Sequence, residues 1–251
     1  MSSDLTFHTA ISGEHQGKLY VRGVSVKKLI TEADFVASLF LSITGTLPSE
    51  DAKVLLNAIL VAALDPGLEP ASGFTPRVAV SSGAEITTAI ATSMLVLGPL
   101  HGAAVTAAMQ LFQELITAST GVERAAHEIV ATYRKNGKRL PGFGHPKGKQ
   151  SDERAQTLFA MTRRSGVSLE ALDAALYLET ALEEQSGRKL PINIDGAIAA
   201  LLVALGFDSR TGNALYAVAR AAGSIAHCVE ELEQKNGVRR LRADQIEFKH
   251  G

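Results

Sequence analysis

"SEDAKVLLNAILVAAL", residues 49–64, decides the fold class. It opens on Ser49, whose hydroxyl suits a helix N-cap, and its apolar residues return at three and four positions, the period of one helix face. Outward from it, "TEADFVASLFLSITG" (31–45) and "SLEALDAALYLETALEEQ" (168–185) repeat the pattern. Alternating patterns are scarce, and "GKLYVRG" (17–23) is the best short strand. The chain therefore reads as all-α. Breaks are expected at "DPGLEPASGFTPR" (65–77), at Gly98-Pro99, in a loop around 135–154, at "SGRKLPIN" (186–193) and at "KNGVRR" (235–240). With no internal repeat, low-complexity tract or linker, a second domain has to be an insertion.

Composition excludes several function classes. The chain has 251 residues, 46% hydrophobic and 20% charged, enough for a sizeable core in one or two domains. A net charge of −1 offers no global field to recruit nucleic acid or an anionic membrane, so neither is an expected partner. Apolar runs such as "AIAALLVALGF" reach about half the roughly 20 residues of a membrane span. The first residues, "MSSDLTFHTAISGEHQGK", lack the charged-then-apolar order of a secretory signal. The single cysteine, Cys228, lies in an apolar helical pattern and reads as packing in a reducing compartment. The expected location is the cytoplasm.

Three lone charges stand in apolar surroundings. His101 in "LGPLHGAAVTAAMQLFQEL" is the only titratable side chain between Glu85 and Glu114 and follows a Gly-Pro break that starts a new helix. Nearby helix-end amides favour a neutral imidazole; the alternative is a satisfied core histidine. Asp195 in "LPINIDGAIAALLVALGF" is the only charge between Lys189 and Asp208, and reads either as an N-cap or as a desolvated carboxylate suited to general base work. In "SRTGNALYAVARAAGSIAHCVEELEQ", Leu215, Val218, Ala222, Ile225, Val229 and Leu232 form one stripe, with Arg220 and His227 opposite on a face of small residues that suits close packing. A buried arginine there requires an anionic partner, from the fold or from a ligand.

The loop "KNGKRLPGFGHPKGKQSDER" (135–154) fails the P-loop spacing, because five positions before Gly148 stands Phe143 and Gln150 follows Lys149. "GFGHPK" also lacks the third glycine of a dinucleotide fingerprint. It is either a solvated turn or a loop whose backbone approaches a ligand, with Lys147 and Lys149 available for phosphate.

Taken in order along the chain, these segments resemble the citrate synthase superfamily. "GPLHGAA" is similar to its G-P-x-H-G-G segment, "PGFGH" to its P-G-[FY]-G-H loop, "NID" to its N-V-D and "ARAAGSIAH" to its A-R-x-x-G-[WF]-x-[AG]-H helix. "GKLYVRGVSVKKLI" and "RVAVSSGAE" resemble its entry segment and its R-x-x-x-S-S-G-A stretch, so the likeness covers nearly the whole chain without the N-terminal helical region of the longer synthases. The resemblance implies a large helical domain (1–103 and 204–251) with a smaller inserted one (104–203), the site between them, and a homodimer.

Residue by residue, the resemblance implies that His101 bonds the acetyl thioester oxygen, His145 contacts the carbonyl or hydroxyl oxygen of the oxo acid, and Asp195 deprotonates the acetyl methyl group. Arg154, Arg220 and a partner-donated Arg242 hold substrate carboxylates. Coenzyme A is expected at Pro141, Gly142, Phe143, Gly144, Lys147, Lys149 and Asn193, as a thioester substrate with no tightly bound cofactor and no metal. Two departures stand out: the family's histidine in a D-H segment falls here on Pro66 or Gly67, and Pro146 follows His145 where many relatives have arginine.

The favoured activity is citryl-CoA lyase, splitting citryl-CoA into acetyl-CoA and oxaloacetate. The short chain and the glycine after Asp195 in "NIDG", where synthases commonly have an aromatic, are both similar to citryl-CoA lyase and to the carboxyl-terminal module of ATP-citrate lyase. The alternatives are a synthase condensing acetyl-CoA with a 2-oxo acid, and a silent CoA-binding module.

Overall fold

The computed structural model describes residues 6–144 and 151–249. Eleven α-helices dominate these described residues. They follow a small antiparallel meander of β1 (Ser12–His15), β2 (Lys18–Val21) and β3 (Val24–Ser25), in the order β1-β2-β3. The expected strand at 17–23 is β2; its two neighbours have weaker patterns and pair across two-residue turns, Gln16-Gly17 and Arg22-Gly23, whose positive φ values match the twist of a tight hairpin.

The helices form where caps and apolar spacing coincide. In α3 (Glu50–Ala63) the Ser49 hydroxyl accepts from the Ala52 N–H at 3.2 Å, and Leu55, Leu56 and Ile59 are fully buried. Burial of each such side chain contributes about 1.5–3 kcal/mol, well above propensity differences of at most about 0.7 kcal/mol per ordinary residue, so the buried face decides the helix. The stretch 31–45 is broken rather than continuous: α1 (Val26–Glu32) ends, and Asp34, not Thr31, caps α2 (Phe35–Thr44).

The larger departure lies at 65–77. Only its first part is a break, because α4 (Ala71–Ser81) begins inside it and carries Pro76 in its interior. Pro76 has no N–H to give to the Ser72 carbonyl four residues back. That carbonyl instead accepts from the Ser93 hydroxyl at 2.7 Å, on α5 (Ile86–Leu95).

After α5 come α6 (Val105–Ile116), α7 (Val122–Lys135), α8 (Glu153–Arg164), α9 (Glu170–Ser186) and α10 (Ile194–Ala204). Helix α10 is buried on all sides from Gly196 to Leu202 and packs on α3, α6, α8 and α9, as its uniformly apolar sequence requires. The last helix, α11 (Gly212–Gln234), packs on α4 and α5. At Gly223 it passes so close to the end of α3 that a Cβ would stand 2.1 Å from the Leu64 carbonyl oxygen. The Arg220 face of α11 is buried, while Val218, Ile225, Val229 and Leu232 on the apolar stripe are exposed. Cys228 is fully buried between α4 and α5, and burial pushes its thiol up.

Candidate active site

Three buried serines position the first group. Ser224 on α11 donates to Ser93 on α5 (2.9 Å), and Ser93 to the backbone of Ser72 on α4. Ser72, in the first turn of α4, reaches both lone groups that the sequence singles out: its Oγ lies 2.8 Å from His101 Nε2 and accepts from Arg220 Nη1 at 2.6 Å. The Ser72 backbone N–H also points at His101 Nε2, at 3.4 Å. The helix-end amide near His101 is thus that of α4; α6 starts only at Val105, and His101 sits in a tight turn bridged to Gly98.

This arrangement assigns the tautomer. The Ser72 backbone N–H can only donate, which makes His101 Nε2 an acceptor; Nε2 then takes the Ser72 hydroxyl hydrogen as well, while Oγ accepts from Arg220. The imidazole proton then resides on Nδ1. Desolvation, assisted by the positive Arg220, lowers the His101 pKa, so the ring is neutral and a hydrogen-bond donor near neutral pH.

Asp195 is not the cap of α10. Asn193 takes that role, with Oδ1 accepting from the Gly196 N–H at 3.2 Å, and Asp195 stands in the first turn. Among the described residues no hydrogen bond reaches its carboxylate. Burial pushes its pKa up to about 6, against the opposing pull of Arg154 and Arg220 and with a further push from Asp152. Burial outweighs two guanidinium charges and the helix N-terminus, which leaves a carboxylate of base strength matched to neutral pH.

Arg220 is 2% exposed. Its Nε and Nη2 donate to the Ala63 carbonyl, Nη2 also donates to the Tyr216 hydroxyl at 2.6 Å, and Nη1 to Ser72. All these acceptors are neutral, and no carboxylate among the described residues pairs with it. Arg154 is half exposed; its Nε and Nη2 edge is held by Asp152 at 3.2 and 3.1 Å, and among the described residues Nη1 makes no hydrogen bond. Arg242 is exposed beyond α11, paired with Asp244, and makes no described contact with the other site residues.

The loop of Pro141, Gly142, Phe143 and Gly144 is stitched to the approach to α10. Asn193 N–H donates to the Gly142 carbonyl, Gly144 N–H to the Pro191 carbonyl, and Asn193 Nδ2 to the Gly144 carbonyl. Asp152 closes the other end, accepting from the Ile194 N–H at 3.2 Å. A Cβ on Gly196 would stand 2.4 Å from the Gly142 oxygen, and one on Gly142 would stand 2.7 Å from the Gly196 Cα. The glycine after Asp195 is therefore a packing requirement of this loop, whatever else it does. His145, Lys147 and Lys149 lie outside the described residues.

Sequence reasoning missed Ser72, Asp152 and Tyr216. Ser72 falls in the stretch read as a break, and Asp152 was legible only as an acid two residues before Arg154. A separate cleft of about 390 Å³ between α6 and α7, lined by Glu114, Glu128 and Tyr133 among others, contains none of the site residues.

Residues 32–242 match the family described as "Citrate synthase, C-terminal domain". Citrate synthase 2 of Bacillus subtilis is 33% identical over 206 residues, covering 81% of this chain and 53% of its own length. The chain thus spans about half the length of the curated relatives it matches. Among solved structures, citryl-CoA lyase from Hydrogenobacter thermophilus superposes with a TM-score of 0.90 at 30% identity, covering 98% of this chain and 95% of that one. ATP citrate lyase from Methanothrix soehngenii, solved with citrate and coenzyme A, superposes at 0.87 with 23% identity over 100% of this chain and 43% of that one, a likeness of fold.

Proposed function

The chain belongs to the citrate synthase family, and from that premise we propose that it is a citryl-CoA lyase-like enzyme, cleaving citryl-CoA to acetyl-CoA and oxaloacetate. The observation that carries this reading is a buried Arg220, ion-paired with no carboxylate among the described residues, whose charge acts on both a neutral His101 and a basic Asp195. The near end-to-end likeness to a citryl-CoA lyase supports the direction.

In the cleavage step, His145 takes the proton of the carbinol hydroxyl, and the bond between the carbinol carbon and the acetyl methylene breaks. The hydroxyl carbon becomes the ketone of oxaloacetate, and the bonding pair moves onto the thioester as an enolate. His101 Nδ1–H meets the enolate oxygen, which a preorganised donor stabilises without reorganisation. Protonated Asp195 returns a proton to the methylene carbon, giving acetyl-CoA. Arg154 and Arg220 hold the carboxylates, and the loop 141–144, fixed by Asn193, lines the coenzyme A site with Lys147 and Lys149 near its phosphates. Residues 104–203 form the inserted domain, with the site at its junction with 1–103 and 204–251.

A second copy of the chain is proposed to cover the exposed stripe of α11, where Ile225 and Leu232 are 46% and 51% exposed. The partner subunit's Arg242 then completes each site. Mixing inactive Asp195→Asn with inactive Arg242→Ala chains is expected to restore activity, because one of the two sites in a heterodimer is wholly native. Well-exchanged heterodimers that stay inactive would place Arg242 outside the partner's site.

The likeness to citrate synthase 2 favours the synthase as the second reading. The two are separated by incubating the protein with (3S)-citryl-CoA and with acetyl-CoA plus oxaloacetate while following free thiol. A lyase yields acetyl-CoA and oxaloacetate with no thiol release. A synthase must also position water against the citryl thioester, and free CoA appearing with citrate at the rate of acetyl-CoA consumption overturns the lyase reading.

A further inference from the structure

We propose that Tyr216 is a further substrate-binding residue, whose phenolic O–H donates to the oxo-acid carboxylate held by Arg220. This rests on the reading above and deepens it, assigning to Tyr216 a polar contact with the oxo acid.

Tyr216 stands one helical turn before Arg220 on α11 and is 5% exposed. Its ring is fixed on two sides. A Cβ on Gly102, the residue after His101, would stand 2.8 Å from its Cε1, and the Arg220 Cζ lies 4.9 Å from its centroid. The hydroxyl oxygen accepts from Arg220 Nη2, so its own hydrogen is uncommitted, and among the described residues no acceptor takes it. The oxygen is satisfied by Arg220, but its buried hydrogen gains from an acceptor, and something that binds beside Arg220 can supply one.

The surroundings define that acceptor. Asp195 is close enough that its charge, together with burial, raises the phenol pKa, yet it accepts no hydrogen bond from the hydroxyl. The phenol therefore stays protonated and a donor at neutral pH. Arg220 has five N–H hydrogens and four are spent on Ala63, Ser72 and Tyr216, with one on Nη1 remaining. The uncommitted Nη1–H and the uncommitted O–H belong to side chains hydrogen-bonded to each other through Nη2. A carboxylate, with two oxygens, takes both; a thioester oxygen has one position and is already served by His101.

The test is Tyr216→Phe, which keeps the ring, its packing on Gly102 and its stacking on Arg220. Loss of one hydrogen bond to a carboxylate is expected to weaken oxaloacetate binding about 10- to 100-fold, measured by titration calorimetry, with coenzyme A affinity unchanged. Replacing Tyr216 by 3,5-difluorotyrosine at pH 6 separates direct donation from mere support of Arg220. Fluorination strengthens the O–H donor and weakens the oxygen acceptor, so direct donation predicts tighter oxaloacetate binding and support of Arg220 predicts weaker binding. Unchanged oxaloacetate affinity in Tyr216→Phe, or weaker binding on fluorination, overturns the role of Tyr216 while leaving the lyase reading intact. A native protein that neither cleaves citryl-CoA nor binds oxaloacetate overturns that reading first, and this one with it.

Discussion

Asp195→Asn is expected to abolish exchange of the acetyl-CoA methyl protons with solvent, by about 10²–10⁴-fold, while coenzyme A binding stays within a few-fold. The amide keeps the shape of a side chain that makes no described hydrogen bond and removes only the base. The pH dependence follows from the pKa of about 6. Exchange requires the ionised carboxylate, so the native rate falls tenfold per unit below about pH 6, and the residual rate of the variant is flat there. Stability moves in the opposite sense. The folded pKa lies above the ordinary aspartate value of 3.8, so Asp195 favours the folded state at low pH and that contribution is lost as pH rises through about 6. A shift of about two units corresponds to up to about 3 kcal/mol at pH 8. The asparagine variant is therefore expected to be more stable than the native chain in urea at pH 8, with the gap closing toward pH 4. Near-normal proton exchange in the variant sinks the base assignment, and a loss of stability at pH 8 shows that the carboxylate is structural.

The helices were legible because each rests on local features: Ser49 with its buried run predicts α3, and the unbroken apolar sequence after Asp195 predicts the buried α10. The departures come from tertiary effects that spacing does not carry. Residues 71–77 look like a break because Gly73 and Pro76 are poor helix formers, yet α4 persists there because Ser93 satisfies the carbonyl that Pro76 leaves without a donor. Arg220 and Asp195 could be singled out as lone charges in apolar runs. Ser72 and Tyr216 could not, since an isolated serine or tyrosine in a helix carries no signal until the neighbouring helices place it. The glycine after Asp195 shows the reverse case: its meaning in the sequence is a likeness to lyases, and its meaning in the fold is clearance for the Gly142 carbonyl.

Arg220→Ala is expected to weaken oxaloacetate binding by about 2–5 kcal/mol and to leave coenzyme A affinity nearly unchanged. The guanidinium is buried among neutral acceptors, and among the described residues no carboxylate is hydrogen-bonded to it, although Asp195 and Asp65 feel its charge. Burying an arginine this way costs several kcal/mol, which a bound carboxylate offsets and a structural role does not. Affinity alone does not separate a direct contact from a collapse of the pocket, because removing the side chain also frees the Ala63 carbonyl, Ser72 and Tyr216. The pH profile does. Arg220 lowers the pKa of both His101 and Asp195, so without it both rise, and the acid limb of methyl-proton exchange moves upward from about pH 6. Arg220→Lys retains the charge without the planar fork: it is expected to keep the acid limb near its native position while still losing oxaloacetate affinity. Unchanged oxaloacetate binding in Arg220→Ala makes the arginine a strut between α3, α4 and α11. An acid limb that does not move, with binding lost, shows that the guanidinium field does not reach the base.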